Sequence, residues 1–172
     1  MAELVGIMDT GVMCCWLEVP GKDTGGPDND KWDKKRATSA IDDIIKNKGT
    51  IILPSAVIIE TANHIAQGNS HREILASRLL DRVIAASAGT RPWREFRDFD
   101  RIWTPEWFAD AKNQWPIYAS RKVGLADYSI ISIANYFSLL GSSVRTLTTD
   151  TALYNEVSHL ETSAVNDRRR RS

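Results

Sequence analysis

Residues 4–12 read LVGIMDTGV, and their pattern indicates the fold class. Its first five residues are apolar or glycine, as is typical of a strand buried on both faces, and Asp9 follows directly. Gly11 then interrupts the apolar pattern before a second apolar run at residues 12–17, which predicts the first helix. A short buried strand followed at once by a helix predicts the first unit of a parallel α/β sheet.

The same alternation of strand and helix continues along the chain. Further strands are predicted at residues 50–53 and 144–148, and further helices at residues 34–48, 54–67, 71–86, 125–140 and, as a short one, 153–157. The segment 20–33 is a polar loop rich in glycine and aspartate, and the segment 89–115 lacks regular periodicity. We therefore predict an α/β fold in which helices cover both faces of a mainly parallel sheet.

The size and composition of the chain indicate one ordinary globular domain. It has 172 residues, of which 42% are hydrophobic and 26% charged, and its 22 basic residues balance its 22 acidic ones. These values exclude collagen-like, coiled-coil and disordered classes, and the zero net charge excludes binding through a bulk positive field. We expect a single domain at residues 1–165 and a disordered basic tail at residues 166–172.

The two cysteines and the N-terminal residues indicate the cellular compartment in which the protein is expected. Cys14 and Cys15 are adjacent and provide no disulfide framework, which is typical of a reducing environment. The first residues lack a basic region followed by a long apolar run, and no apolar stretch is long enough to cross a bilayer. We therefore predict a cytoplasmic protein without a membrane partner.

Four carboxylates fall in settings where a charge is costly. Asp9 and Asp150 follow the first and last predicted strands, so both are expected at the carboxyl edge of the sheet, where α/β folds bind ligands. Glu60 lies beside apolar residues on the helix after the second strand, and Asp127 opens the most hydrophobic helix. Carboxylates beside core residues need a partner or a metal ion, so these four predict one shared acidic pocket.

Each of these acids also has a structural interpretation. Asp9, Asp127 and Asp150 could cap the helices that begin beside them, whereas no cap explains Glu60. We interpret His64, four residues after Glu60, as an ordinary polar helix residue. Taken together, the four acids favour a shared site over four separate caps.

Four short segments resemble the PIN domain, and most closely the VapC-type toxin ribonucleases. In chain order they are LVGIMDTGV (4–12), ILPSAVIIETANHI (52–65), GLADYSIISIA (124–134) and RTLTTDTAL (145–153). Each matches a family motif around one acid, namely Asp9-Thr10, Glu60 after Pro54-Ser55, Asp127 before Ile130, and Asp150 after Thr148. Gly11 departs from the family, which usually has Asn or Ser there, so one polar contact is expected to be missing.

The resemblance implies a three-layer α/β/α fold and a metal-dependent endoribonuclease that hydrolyses phosphodiester bonds in RNA. It implies a toxin of a toxin–antitoxin pair or a related defence nuclease, with an antitoxin protein as partner, and it is compatible with a homodimer. We assign Asp9, Asp127 and Asp150 as direct or water-mediated ligands of Mg²⁺ or Mn²⁺, and Glu60 as a ligand or as the group that orients the attacking water. Thr148 is expected to hydrogen-bond a carboxylate or a metal-bound water.

Basic residues at several places are candidate contacts for RNA or a protein partner. They are Lys34, Lys35, Arg36, Arg91, Arg94, Arg121 and Lys122. The segment RPWREFRDFDRIW (91–103) interleaves arginines with aromatic residues, for which core packing ranks first, partner binding second and RNA stacking third. Two other functions remain open at this point: a PIN-fold module that binds RNA or protein without cleaving, and a nuclease that acts on structured DNA.

Overall fold

A computed structural model of the chain describes residues 2–94 and 101–170, with side chains up to residue 161. Four strands form one parallel sheet in the order β3-β2-β1-β4. The strands are β1 (Leu4–Met8), β2 (Thr50–Ile52), β3 (Trp93–Arg94) and β4 (Ser143–Leu147). The predicted α/β class with a parallel sheet is therefore confirmed.

Seven helices connect and flank these strands within the described residues. They are α1 (Thr10–Leu17), α2 (Lys34–Lys46), α3 (Ser55–Gln67), α4 (Arg72–Ser87), α5 (Pro105–Ser120), α6 (Leu125–Leu139) and α7 (Thr151–Arg170). Helix α2 packs on β1 and β2, α4 packs on β3, and α6 and α7 pack on β4. The helices and the sheet form a three-layer α/β/α arrangement.

Strand β1 lies inside the sheet and is covered on both faces. Neighbouring residues of a strand point to opposite faces, and Ile7 and Met8 are both fully buried. A Cβ at Gly6 would lie 2.4 Å from Ile44 Cδ1 of α2, so the glycine leaves room for the end of the Ile44 side chain against the sheet. The apolar run that predicted β1 thus forms the centre of the core.

The register of β1 and β4 brings two predicted site segments together. Met8 pairs with Leu147, so the two strands end side by side. The ladder continues one residue further, because the Asp9 amide donates to the Leu147 carbonyl at 3.0 Å. The residues that follow both strands, Asp9 and 148–150, therefore emerge at the same edge of the sheet.

The irregular segment and the C-terminal part differ from the sequence predictions. Residues 89–115 contain the short strand β3 and the first part of α5, neither of which was predicted. The helix predicted at residues 153–157 is much longer, since α7 runs to Arg170 and enters the segment 166–172 that was predicted to be a disordered tail.

Aromatic residues of the segment 91–103 pack into the core where they are described. Trp93 is buried and stacks near Trp16 with ring centroids 5.5 Å apart, and Trp103 contacts Trp107 at 5.0 Å. Core packing, the first-ranked interpretation, is therefore confirmed for Trp93 and Trp103. Residues 95–100 of this segment lie outside the described residues.

Candidate active site

A pocket of about 320 Å³ opens at the carboxyl edge of the sheet. Residues from the ends of β1 and β4, from α1, α3 and α6, and from the loop 20–33 line it. They are Asp9, Thr10, Gly11, Cys14, Lys22, Thr24, Gly25, Glu60, His64, Asp127, Thr149 and Asp150. All four carboxylates that the sequence predicted to share a pocket are among them.

Asp9 is the most buried of the four acids, with 5% of its surface exposed. Its Oδ1 accepts a hydrogen bond from the Thr10 amide at 2.6 Å, and its Oδ2 accepts one from Thr148 Oγ1 at 2.8 Å. Burial raises the pKa of Asp9, and the neighbouring charge of Asp150 adds to this effect, whereas the hydrogen bonds oppose it. Asp9 is thus an oriented carboxylate that is costly to keep charged without a nearby cation.

Thr148 connects Asp9 to Asp150. Its hydroxyl donates to Asp9 and accepts from the Asp150 amide at 2.9 Å. One side chain thus connects the residue that follows β1 with the segment that follows β4. Asp150 Oδ1 in turn accepts from the amides of Ala152 at 2.6 Å and Leu153 at 3.1 Å, and so caps α7. The geometry gives Thr148 the hydrogen bond to a carboxylate that the sequence predicted.

Glu60 reaches the pocket from α3. Its side chain is exposed, and its Oε2 accepts a hydrogen bond from Thr10 Oγ1 at 2.7 Å. Thr10 therefore orients two acids at once, Asp9 through its amide and Glu60 through its hydroxyl. This explains physically why a threonine directly follows Asp9.

Asp127 lies in the first turn of α6 and is half-buried. Its Oδ2 accepts from the Gly124 amide at 3.2 Å, an interaction that holds the start of the helix. Burial raises the pKa of Asp127 to about 6, and the charges of Asp9, Asp150 and Glu60 contribute to the rise. Each of the other three acids is therefore close enough to Asp127 to disfavour its charged form.

Gly11 makes room for a hydroxyl from the other strand end. A Cβ at position 11 would lie 1.9 Å from Thr149 Oγ1, so Thr149 fills the space that a larger residue would need. Thr149 also lines the pocket. The Thr149 side chain, from the segment after β4, therefore occupies the space beside position 11.

The sequence did not predict the contribution of the loop 20–33. Lys22, Thr24 and Gly25 line the pocket, as does His64, which was interpreted as an ordinary helix residue. The spacing of His64 four residues after Glu60 was a usable signal, because residues four apart share a helix face. The loop carried no such signal, since its path depends on tertiary contacts.

The basic residues proposed as RNA or partner contacts do not line this pocket. Lys34 pairs with Glu18 at 2.6 Å, and Arg121 pairs with Glu156 at 2.7 Å. Arg36 and Arg94 are likewise engaged, with Asp30 and Glu3 respectively. Three further candidates, Lys35, Arg91 and Lys122, are exposed at other positions.

The donor set suits a hard divalent cation. Four carboxylates in an open pocket offer oxygen ligands, and the cavity is large enough for a hydrated ion, since each water occupies roughly 30 Å³. Within the described residues, no group of three or more His, Cys, Asp or Glu side chains is placed so that it could hold a metal ion. Mg²⁺ usually takes one or two carboxylates and keeps several waters, so binding of a divalent cation by these acids stays a prediction.

Comparisons with known proteins add no relative. No protein-family model, no curated protein and no solved structure matches the chain.

Proposed function

We propose that this chain is a metal-dependent endoribonuclease of the PIN type. The observation that carries the proposal is the convergence of Asp9, Glu60, Asp127 and Asp150 on one pocket at the carboxyl edge of the sheet. These acids come from four separate elements and are up to 141 positions apart in the chain (150 minus 9), so local sequence does not explain their meeting.

The chemistry of the pocket supports hydrolysis of a phosphodiester. A bound Mg²⁺ or Mn²⁺ would polarise the phosphate and lower the pKa of a bound water. Asp9, Asp127 and Asp150 would hold the ion directly or through water, and Glu60 would be a further ligand or would orient the water. Thr10 and Thr148 fix the positions of Asp9 and Glu60 through hydrogen bonds of 2.6–2.8 Å.

A cleavage assay tests the proposal. Labelled RNA and DNA are incubated with the protein and Mg²⁺, Mn²⁺ or a chelator, using the wild type, Asp9→Asn and Asp127→Asn. Asparagine keeps one acceptor oxygen, so Asp127→Asn can retain the hydrogen bond from the Gly124 amide, whereas Asp9→Asn loses one of the two hydrogen bonds that Asp9 accepts. An unchanged melting temperature shows that each variant is folded. The matched control is Asp42→Asn, an exposed acid on α2 that does not line the pocket.

We expect metal-dependent cleavage of RNA that falls by about 100-fold or more in both pocket variants and is unchanged in the control. Cleavage of DNA alone would favour the structure-specific DNA nuclease. Binding of RNA without cleavage under every metal, or equal cleavage by wild type and variants, would contradict the proposal and favour a non-catalytic module.

The toxin role, with an antitoxin partner, rests on the resemblance of the four sequence segments. It predicts that induced expression of the wild-type chain stops growth of a bacterial host, whereas Asp127→Asn does not. Growth that is equally arrested, or equally unaffected, by both chains would contradict this role without bearing on cleavage in vitro.

A further inference from the structure

The loop 20–33 forms part of the pocket and contains Lys22, which lines it. Lys22, Thr24 and Gly25 of this loop line the pocket together with the four acids. Of the described residues that line it, Lys22 is the only lysine or arginine.

The loop is held in place by contacts at both of its ends. Gly25 and Trp32 exchange two backbone hydrogen bonds, at 3.0 and 2.7 Å, which close the loop on itself. The Cys15 thiol lies 3.8 Å from the carbonyl oxygens of both Lys22 and Trp32, and so contacts the two sides of the loop. Arg36 lies over the Trp32 ring at 4.2 Å, which ties the loop to α2. These contacts hold the backbone of Lys22 in place, and its side chain is exposed.

The same loop is packed against the end of β4. A Cβ at Gly25 would lie 3.0 Å from Thr149 Cγ2, closer than side chains normally approach, so the loop touches the site through a glycine. Thr149 is therefore enclosed by Gly11 on one side and Gly25 on another. The loop is a fixed wall of the pocket at this point.

The ammonium group of Lys22 acts on the pocket. Among the ion pairs of residues 2–94 and 101–161, none involves Lys22, in contrast to Lys34, Arg36, Arg94 and Arg121. Its charge reaches Cys14, a pocket residue, where it lowers the pKa of the thiol against the larger effect of burial. Lys22 is exposed and lines the pocket, and it forms no ion pair with a described residue, so its ammonium group is available to an anionic ligand.

We propose that Lys22 binds a phosphate of the RNA strand that enters the pocket, as a substrate-binding residue supplied by the loop 20–33. This inference rests on the proposed function, because it names the residue that receives the substrate's charge. An RNA strand is repelled by an acid-lined pocket, and the positive charge of Lys22 offsets that repulsion whether or not a metal is bound. The backbone of Lys22 holds the loop, so its side chain can be changed without removing those contacts.

RNA binding is the test, measured by fluorescence anisotropy on intact RNA in the Asp127→Asn background across a range of salt concentrations. Lys22→Ala is expected to raise Kd by about fivefold to tenfold and to reduce the slope of log K against log salt by about 0.7. Lys22→Arg should stay within about twofold of the parent, because it keeps a cation. The control is Lys112→Ala, an exposed lysine on α5 that does not line the pocket.

The outcomes separate this inference from the proposed function. Unchanged Kd and slope in Lys22→Ala, equal losses in Lys22→Ala and Lys112→Ala, or no measurable binding by the parent would each overturn the role of Lys22. If the wild-type chain nevertheless cleaves RNA, the nuclease proposal stands without Lys22. If no metal supports cleavage, the nuclease proposal fails whatever the binding data show. A melting temperature of Lys22→Ala equal to that of its parent shows that the fold is intact.

Discussion

Three aspartates in the pocket each serve a helix as well as the site. Asp9 caps α1, Asp150 caps α7, and Asp127 accepts from the backbone at the start of α6. The capping and site interpretations of these acids are therefore compatible, since a carboxylate has two oxygens and several lone pairs. The helix starts hold the carboxylates in place before any ligand is present.

The raised pKa of Asp127 predicts how metal-free stability depends on pH. In the folded chain its pKa is about 6, against 3.8 for a free side chain, so the folded state holds the proton more tightly. The free energy of unfolding should therefore fall as the pH rises from about 4 to about 6. Asp127→Asn should match the wild type at pH 4 and be more stable by about 1 kcal/mol at pH 7.5, after allowance for solvent screening.

Urea unfolding in a chelator at several pH values measures this difference. Asp42→Asn should show no such pH-dependent gain, because Asp42 lies outside the pocket. A constant difference between Asp127→Asn and wild type from pH 4 to pH 7.5 would show that the pKa of Asp127 is not raised in the folded chain.

Gly11 and Thr149 should be coupled in stability. Gly11→Ala places a Cβ 1.9 Å from Thr149 Oγ1 and should cost about 1–3 kcal/mol in the free energy of unfolding. Adding Thr149→Ala removes that oxygen and should recover most of the loss. Urea unfolding of the two single variants and the double variant measures the coupling, and additive effects would contradict the close packing of these positions.

Helix α7 supplies a hydrogen-bond acceptor to a backbone amide at the outer edge of the sheet. Strand β4 is an end strand, and the Thr146 amide donates to Glu161 Oε1 of α7 at 3.0 Å. Glu161 is partly buried where it makes this contact, and the burial raises its pKa, whereas the hydrogen bond from Thr146 lowers it. The edge amide is thus paired with a side chain rather than left open to another chain.

Replacing Glu161 should show how much its hydrogen bond with Thr146 contributes to the free energy of unfolding. Glu161→Ala leaves the Thr146 amide without its partner and should lower the free energy of unfolding by about 1–3 kcal/mol. Glu161→Gln keeps an acceptor oxygen and should lose less. The control on the same helix is Asn155→Ala, an exposed position. Thermal unfolding at pH 7 checks the order, and equal losses in the alanine and glutamine variants would contradict it.

Helices and strands with a long apolar pattern could be predicted from the sequence. Segments whose path depends on contacts with residues far away in the chain could not. The apolar run before Asp9 predicted β1 and placed its acid correctly at the edge. Strand β3 has two residues, too few for any alternation to be visible. Lys22 reaches the pocket because Cys15 and Thr149 shape the loop, and these contacts leave no local pattern in residues 20–33.

At the scale of the whole molecule, zero net charge hides an uneven distribution. Four of the 22 acids meet in one pocket, whereas several basic residues are engaged in surface ion pairs. A divalent ion held by these acids would make the working protein more positive than its sequence indicates. Within residues 2–94 and 101–170, no helix has the length and apolar character needed to cross a bilayer. Cytoplasmic location stays a prediction from the cysteines and the N-terminal residues.

We infer that the four acids act together as one site for a divalent cation, and calorimetric titration with Mn²⁺ measures that binding. The wild type should bind Mn²⁺ saturably. Asp9→Asn, Glu60→Gln, Asp127→Asn and Asp150→Asn should each weaken binding by about tenfold or more, and Asp42→Asn should leave it unchanged. Absence of saturable binding by the wild type, or equal binding by all the pocket variants and the wild type, would contradict the claim.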